Sequence, residues 1–232
     1  MIDSLPESTT RAADSRESDA RSRELLLAWA AVFAMTALGA LAGALAQTLR
    51  GQYSNAESAL GGATAIWVTL GYLAVRLFAA RWRYRDRLAW TCVLSACYLF
   101  AWLTVYHLLF GLHWSLSSAQ VWSQARYWTA AVAPACLVLG SVAVYSLRRG
   151  VLGDICLALP LGWSLPEVVA RAGSGAAYLE IISVPTLLVA IVPLLGRRKR
   201  RWSVLTVALT VVAAGIATYG LLDVVRQQHF SL

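Results

Sequence analysis

Charge is scarce in this chain, and what there is comes almost entirely from one basic residue. Only 14% of the 232 residues are charged; lysine occurs once, at Lys199, against nineteen arginines. A soluble domain carries about 25% charge, so this composition excludes an ordinary water-exposed fold. Residues 25–49 hold no charged side chain, and about 20 apolar residues already suffice to cross a bilayer core as a helix. Also missing are a P-loop, a His-Glu-x-x-His pair, a Gly-x-Ser-x-Gly elbow and any Cys-x-x-Cys spacing, which removes the signatures of phosphate-loop, zinc and serine-nucleophile chemistry. The four cysteines, Cys92, Cys97, Cys136 and Cys156, all sit in apolar blocks. They read as small hydrophobes rather than as disulfide partners or metal ligands, and no cofactor is implied. No internal repeat is visible.

What is present is a series of long apolar blocks: 25–49, 58–80, 88–112, 127–147, 151–170, 176–196 and 202–225. The expectation is an all-α fold, a polytopic membrane bundle of about seven transmembrane helices with the N-terminus cytoplasmic. Arginine placement tests that count. Arg11, Arg16, Arg21 and Arg23 precede the first block; Arg76 near the end of the second block and Arg81, Arg83, Arg85 and Arg87 after it mark the second connection; Arg148 and Arg149 follow the fourth; Arg197, Arg198, Lys199, Arg200 and Arg201 follow the sixth. The opposite ends hold only Arg50, Arg126, Arg171 and Arg226. Basic residues collect on cytoplasmic loops, so strict alternation of rich and poor connections supports an odd number of crossings. The same rule accounts for the net charge of +8 without nucleic-acid binding. Residues 1–24 are polar and read as a disordered cytoplasmic tail, 25–226 as the transmembrane domain, and 227–232 as a short extracytoplasmic tail. The first helix would serve as its own insertion signal.

Within the first block Gly39 and Gly43 form Gly-x-x-x-Gly beside Ala40 and Ala44. Small residues let helix backbones approach closely; the motif suits internal packing, with a homodimer or a partner membrane subunit as the other readings. Trp114, Trp122, Tyr127 and Trp128 at one end, and Trp82, Tyr84, Trp90 and Trp202 at the other, read as interfacial belts. The fifth block, "LALPLGWSLPEVVARAG", contains Pro160, Pro166 and Glu167. Each proline removes a backbone donor and crowds the carbonyl four residues back. The expectation is a kink or an unwound turn around Gly162 and Ser164, with Pro166 opening a second short helix and Glu167 in its first turn, where the helix dipole favours an anion.

On the seven-span threading, Glu57, Glu167, Glu180 and Asp223 fall at the outer ends of their spans, as do Arg50, Arg126, Arg171 and Arg226 with His107 and His113. Ionisable groups within spans are costly and usually face a bundle interior or a wet cavity. Glu167, Glu180, His107, Arg126 and Arg171 are therefore candidate binding residues of an outward-facing polar vestibule; the competing reading is that these groups finish helix ends at the interface. Asp154, alone at the inner side, reads as an ion-pair partner of Arg148 or Arg149.

The stretches "SNAESALGGATAIWV", "RYWTAAVAPACLVLGSVAVYSLRRG" and "GDICLALPLGWSLPE" resemble an uncharacterised family of actinobacterial multi-pass membrane proteins. That likeness implies topology and no activity. The chain is also similar in length and span count to integral-membrane terpene cyclases, which use one acid near the second span and another in the last. That likeness implies Glu57 and Asp223 as catalytic carboxylates acting on a prenyl-type ligand, although Ala56 stands where that family places a tryptophan before the first acid. Three roles follow: a component binding or moving a small or lipid-like molecule; an enzyme using carboxylate acid catalysis on a lipid-soluble substrate; or a structural protein whose "RWRYRDR" and "GRRKRRW" loops hold anionic membrane lipids.

Overall fold

The computed structural model describes residues 7–52, 64–81 and 84–172, together with helical positions at 206, 209–213 and 215–217. The described residues are helical, with no strand among them, in five long elements: α1 Glu7–Gln52, α2 Thr64–Ala79, α3 Tyr84–His113, α4 Ser118–Tyr145 and α5 Val151–Ala172. Among the described residues, three stretches are long and apolar enough to cross a membrane, Ser22–Leu49, Arg87–His113 and Trp128–Tyr145; Ile66–Ala79 and Val151–Ser164 are shorter apolar helices. The sixth block, 176–196, lies outside the described residues, and the seventh is described only at its scattered helical positions.

The side-chain pattern of α1 explains its place. Its buried face is Ala28, Ala31, Met35, Ala42, Ala46 and Gln47, recurring every three or four residues. Its exposed face is larger and more apolar: Leu26, Trp29, Phe33, Leu41 and Leu45, with Leu26 and Phe33 both 71% exposed. A helix in water buries its bulky hydrophobes and exposes polar groups. Here small residues face inward and bulky ones outward, the arrangement expected where lipid is the solvent and close backbone packing drives association. Leu77, Leu112, Leu137, Val138 and Ile216 continue that apolar exterior.

Gly39 and Gly43 pack against the α3 backbone at Tyr98 and Trp102, and a Cβ on either would collide with a carbonyl of α3. The ascending order on both helices makes α1 and α3 parallel. The motif is thus satisfied within the chain. Gly111 meets Val121, while Gly140 meets the backbone and thiol of Cys92, so α3 and α4 are antiparallel. Thr69 lies beside Ser164 and Tyr72 beside Cys156, so α2 and α5 are antiparallel. Arg76 near the end of α2 bonds Ser146 at the end of α4, which sets α2 against the direction of α3. The five helices alternate in direction. We call upper the end that gathers the C-termini of α1, α3 and α5.

The α3–α4 hairpin closes that end tightly. Ser115 has a positive φ of 52°, and Leu116 N–H donates to Gly111 O at 2.9 Å, the pattern of a helix terminated by a left-handed residue. Helix α4 then starts with a reciprocal cap: Ser117 N–H donates to Gln120 Oε1 at 2.9 Å and Gln120 N–H donates to Ser117 Oγ at 3.4 Å. That Ser-x-x-Gln box begins the helix at Ser118, ahead of the apolar block at 127. At the lower end Gly150 closes the α4–α5 turn with φ 115°, a conformation open to glycine.

Intrahelical hydroxyl bonds recur: Thr36 to Val32 O, Thr48 to Ala44 O, Ser95 to Thr91 O and Thr129 to Ala125 O, all at 2.8–2.9 Å. Each hydroxyl finds its acceptor one turn back, as a group without water requires.

Candidate functional site

Helix α5 runs unbroken from Val151 to Ala172 through both prolines. The unwound turn, and the second helix opened at Pro166, are not formed. The physical reason lies in what surrounds Pro160, which is fully buried. Pro160 leaves the carbonyl of Cys156 without its helical donor. The Tyr72 hydroxyl of α2 donates to that carbonyl across a long 3.5 Å. One turn further on, Ser164 Oγ donates to Pro160 O at 2.7 Å. Neighbouring side chains thereby hold the helix together where its own ladder has a gap.

These groups belong to a directed chain of hydrogen bonds between α2 and α5. Trp163 Nε1–H donates to Thr69 Oγ1 at 2.9 Å. Thr69 and Ser164 hydroxyls lie 3.5 Å apart. Because the Ser164 hydrogen is committed to Pro160 O, Thr69 is the donor in that contact. Thr69 and Ser164 are both fully buried. The Trp163 and Tyr72 rings meet edge to face, centroids 6.0 Å apart at 85°, so the polar line has an aromatic wall.

Tyr98 of α3 joins this seam to α1. Its hydroxyl donates to Trp67 O at 2.8 Å, its ring rests on Gly71 and its backbone on Gly39. Toward the upper end, His107 is 8% exposed, with Nδ1 3.0 Å from Leu103 O and its ring 5.3 Å from that of Tyr106. Among the described residues, three buried side-chain polar atoms have no hydrogen-bond partner: Gln47 Oε1, Trp67 Nε1 and Trp102 Nε1.

The sequence-derived candidates distribute unevenly. Glu57, Glu180, Asp223 and Arg226 lie outside the described residues. Glu167 and Arg171 lie on the last turns of α5, toward the upper end, and their side chains are not described. The antiparallel pairing of α3 and α4 sets His107 and Arg126 at a similar level, but His107 is buried and Arg126 exposed. They therefore face different surroundings. His113 is exposed beside Trp114, ring centroids 5.2 Å apart. Trp114 and Trp122 are each 61% exposed and Trp128 41%, placing the upper aromatics on the bundle surface, as an interfacial belt requires. Among the described residues no group of three or more His, Cys, Asp or Glu is placed to hold a metal ion, and all four cysteines are free.

At the lower end Arg76 Nε donates to Ser146 Oγ at 3.0 Å, and Ser146 Oγ donates to Ala143 O at 2.8 Å. The Arg148 guanidinium lies 4.8 Å above the Tyr145 ring, and Asp154 is buried in the first turn of α5.

The seam residues Thr69, Tyr72 and Trp163 and the buried amide of Gln47 are absent from the candidates found by sequence. Their signal is faint: single neutral polar groups inside apolar blocks are ordinary, and only packing shows that Thr69, Tyr72 and Trp163 share the α2–α5 interface. No family model, curated protein or solved structure matches the chain.

Proposed function

We propose that this chain is an integral membrane protein of about seven spans, N-terminus cytoplasmic, that binds or moves a small or lipid-like molecule through an outward-facing polar vestibule at the upper end. The observation that carries the reading is the placement of polar groups in the upper half of the bundle. Gln47, Trp67, Thr69, Trp102, His107, Trp163 and Ser164 come from four helices, inside an exterior of bare leucine, valine and phenylalanine. Polar groups are expensive in a bilayer unless they meet one another or a guest.

Orientation follows from charge. Arg81, Arg148 and Arg149 are exposed at the lower end, so the positive-inside rule assigns that end to the cytoplasm. The vestibule then opens to the other face. Glu167 is three residues beyond Ser164 on α5, and on the threading Glu57, Glu180 and Asp223 join it as the acidic rim. Membrane lipids are the surrounding partners.

Two measurements test this. In intact cells, an impermeant thiol reagent should label a cysteine at position 230 and not one within 197–201; equal labelling of both removes the vestibule. Glu167→Gln with Glu180→Gln should deplete a species that copurifies with the parent from native membrane, with folding unchanged; an identical set of retained lipids would refute the acidic rim.

A further inference from the structure

We infer that the lower rim of the bundle, where the end of α2 meets the turn from α4 to α5, is a docking surface for an acidic phospholipid whose phosphodiester is held by Arg76 and Arg148. The surface requires that end to lie at a membrane face and requires nothing of the vestibule.

Both arginines are anchored there by neutral groups. Arg76, half-buried in the last turn of α2, uses one of the five guanidinium N–H donors, at Nε, to bond Ser146 Oγ at 3.0 Å. The Ser146 hydrogen goes to Ala143 O, so this hydroxyl is an acceptor and leaves the charge of Arg76 in place. Tyr145, the residue before Ser146, carries the Arg148 guanidinium 4.8 Å from its ring centroid, and Arg148 N–H donates to Tyr145 O at 3.0 Å. The end of α4 therefore fixes both side chains. Arg81 and Arg149 are exposed at the same end, and Arg87 lies near the start of α3. Asp154, 9% exposed, is the one acid among the described side chains at this end of α2 to α5. Pairing it with any one of these arginines leaves the rim positive.

Bare hydrocarbon borders these charges. The antiparallel register of α2 and α5, set by Thr69–Ser164 and Tyr72–Cys156, brings the end of α2 level with the start of α5. Leu77 is 66% exposed, Val151 62% and Leu152 49%. A soluble anion would meet the arginines and leave these side chains in water. A phospholipid meets both, with its phosphate on the planar guanidinium forks, which match paired phosphate oxygens, and its acyl chains on the leucines and valine. Basic sites between spans on the cytoplasmic side are the usual seats of anionic headgroups. A choline headgroup would bring its own cation against the arginines; a glycerol headgroup brings none, so the surface selects phosphatidylglycerol over phosphatidylcholine.

Native mass spectrometry of the full chain, released from nanodiscs containing both lipids, tests this by identifying the lipids retained. Phosphatidylglycerol should be retained in preference to phosphatidylcholine. Arg76→Gln and Arg148→Gln should each lower that retention about fivefold, the factor expected for one basic residue at an anionic surface. Arg148 is exposed, so its variant carries the test if Arg76→Gln fails to fold. Arginines that only answer the helix dipoles and the positive-inside bias would keep that role as lysines. Arg76→Lys and Arg148→Lys should instead lose retention, because a point charge does not present the fork. Equal retention of the two lipids, or lysine variants that match the parent, overturns the surface. Displacement of the retained phosphatidylglycerol by inorganic phosphate makes a soluble phosphate the ligand and overturns the lipid assignment.

Discussion

The hydroxyl of Tyr72 points at the carbonyl oxygen of Cys156, 3.5 Å away, and that carbonyl is the acceptor whose helical donor Pro160 removes. A proline in mid-helix and a tyrosine on another helix are thus two halves of one structural solution. This contact joins the Trp163–Thr69 and Thr69–Ser164 bonds in pairing α2 with α5.

This pairing predicts non-additive energetics. Tyr72→Phe should destabilise the protein by about 1–2 kcal/mol by leaving a buried carbonyl unpaired. Pro160→Ala restores an N–H to Cys156 O. In that background Tyr72→Phe should cost about 1 kcal/mol less. Reversible unfolding in mixed micelles measures the cycle; equal costs in both backgrounds would show that the hydroxyl does not serve this carbonyl.

The Trp163–Thr69–Ser164 line predicts an ordered loss. Thr69→Val removes both an acceptor for Trp163 and a donor to Ser164, and should destabilise by about 1–3 kcal/mol. Ser164→Ala interrupts only the later part, leaves Thr69 accepting from Trp163, and should cost less. Thermal melts of detergent-solubilised variants rank the two, and the reverse order would contradict the donor directions assigned here.

Gly39→Leu and Gly43→Leu should each separate α1 from α3, because the added side chain meets backbone carbonyls rather than a movable side chain. Overpacking of this kind costs about 1–3 kcal/mol or more. Gly39→Ala should be milder yet still measurable. A double electron–electron resonance distance between labels on the exposed positions Leu41 and Phe100 should lengthen in the leucine variants; an unchanged distance would argue against the packing.

Tyr98→Phe should lower stability by about 1 kcal/mol, the ordinary net value of a lost hydrogen bond, and keep the ring contact on Gly71. Tyr98→Ala should cost about 3–5 kcal/mol, since it also opens a cavity in a fully buried site. Chemical denaturation in micelles separates these values, and similar losses for Phe and Ala would assign the whole effect to the hydroxyl.

Much of the architecture is legible in the residues alone. Long uncharged blocks mark helices because, over some twenty positions, composition outweighs local detail. Each of the first five blocks overlaps one of α1 to α5 for this reason, although α1 runs back to Glu7, into the stretch read as a disordered tail. Helix ends are less legible: α4 begins at its Ser117–Gln120 cap, a side-chain bond that hydropathy does not register. Pro160 and Pro166 were legible as disturbances but not in their result, because the Tyr72 hydroxyl that serves the carbonyl orphaned by Pro160 comes from another helix. The site is the least legible part. Acids and histidines stand out against an apolar background, whereas Gln47, Thr69 and Trp163 gain meaning only from their neighbours.

By itself the sequence determined that this chain is helical, with stretches long and apolar enough to cross a membrane, because those properties depend on totals along the chain. Which helix answers Gly39, which tyrosine completes the backbone opened by Pro160, and where neutral polar groups are left facing one another were decided by tertiary structure alone. These are relations between segments far apart in the chain, and in an apolar medium each backbone and polar group must find its partner in space rather than in the next residue.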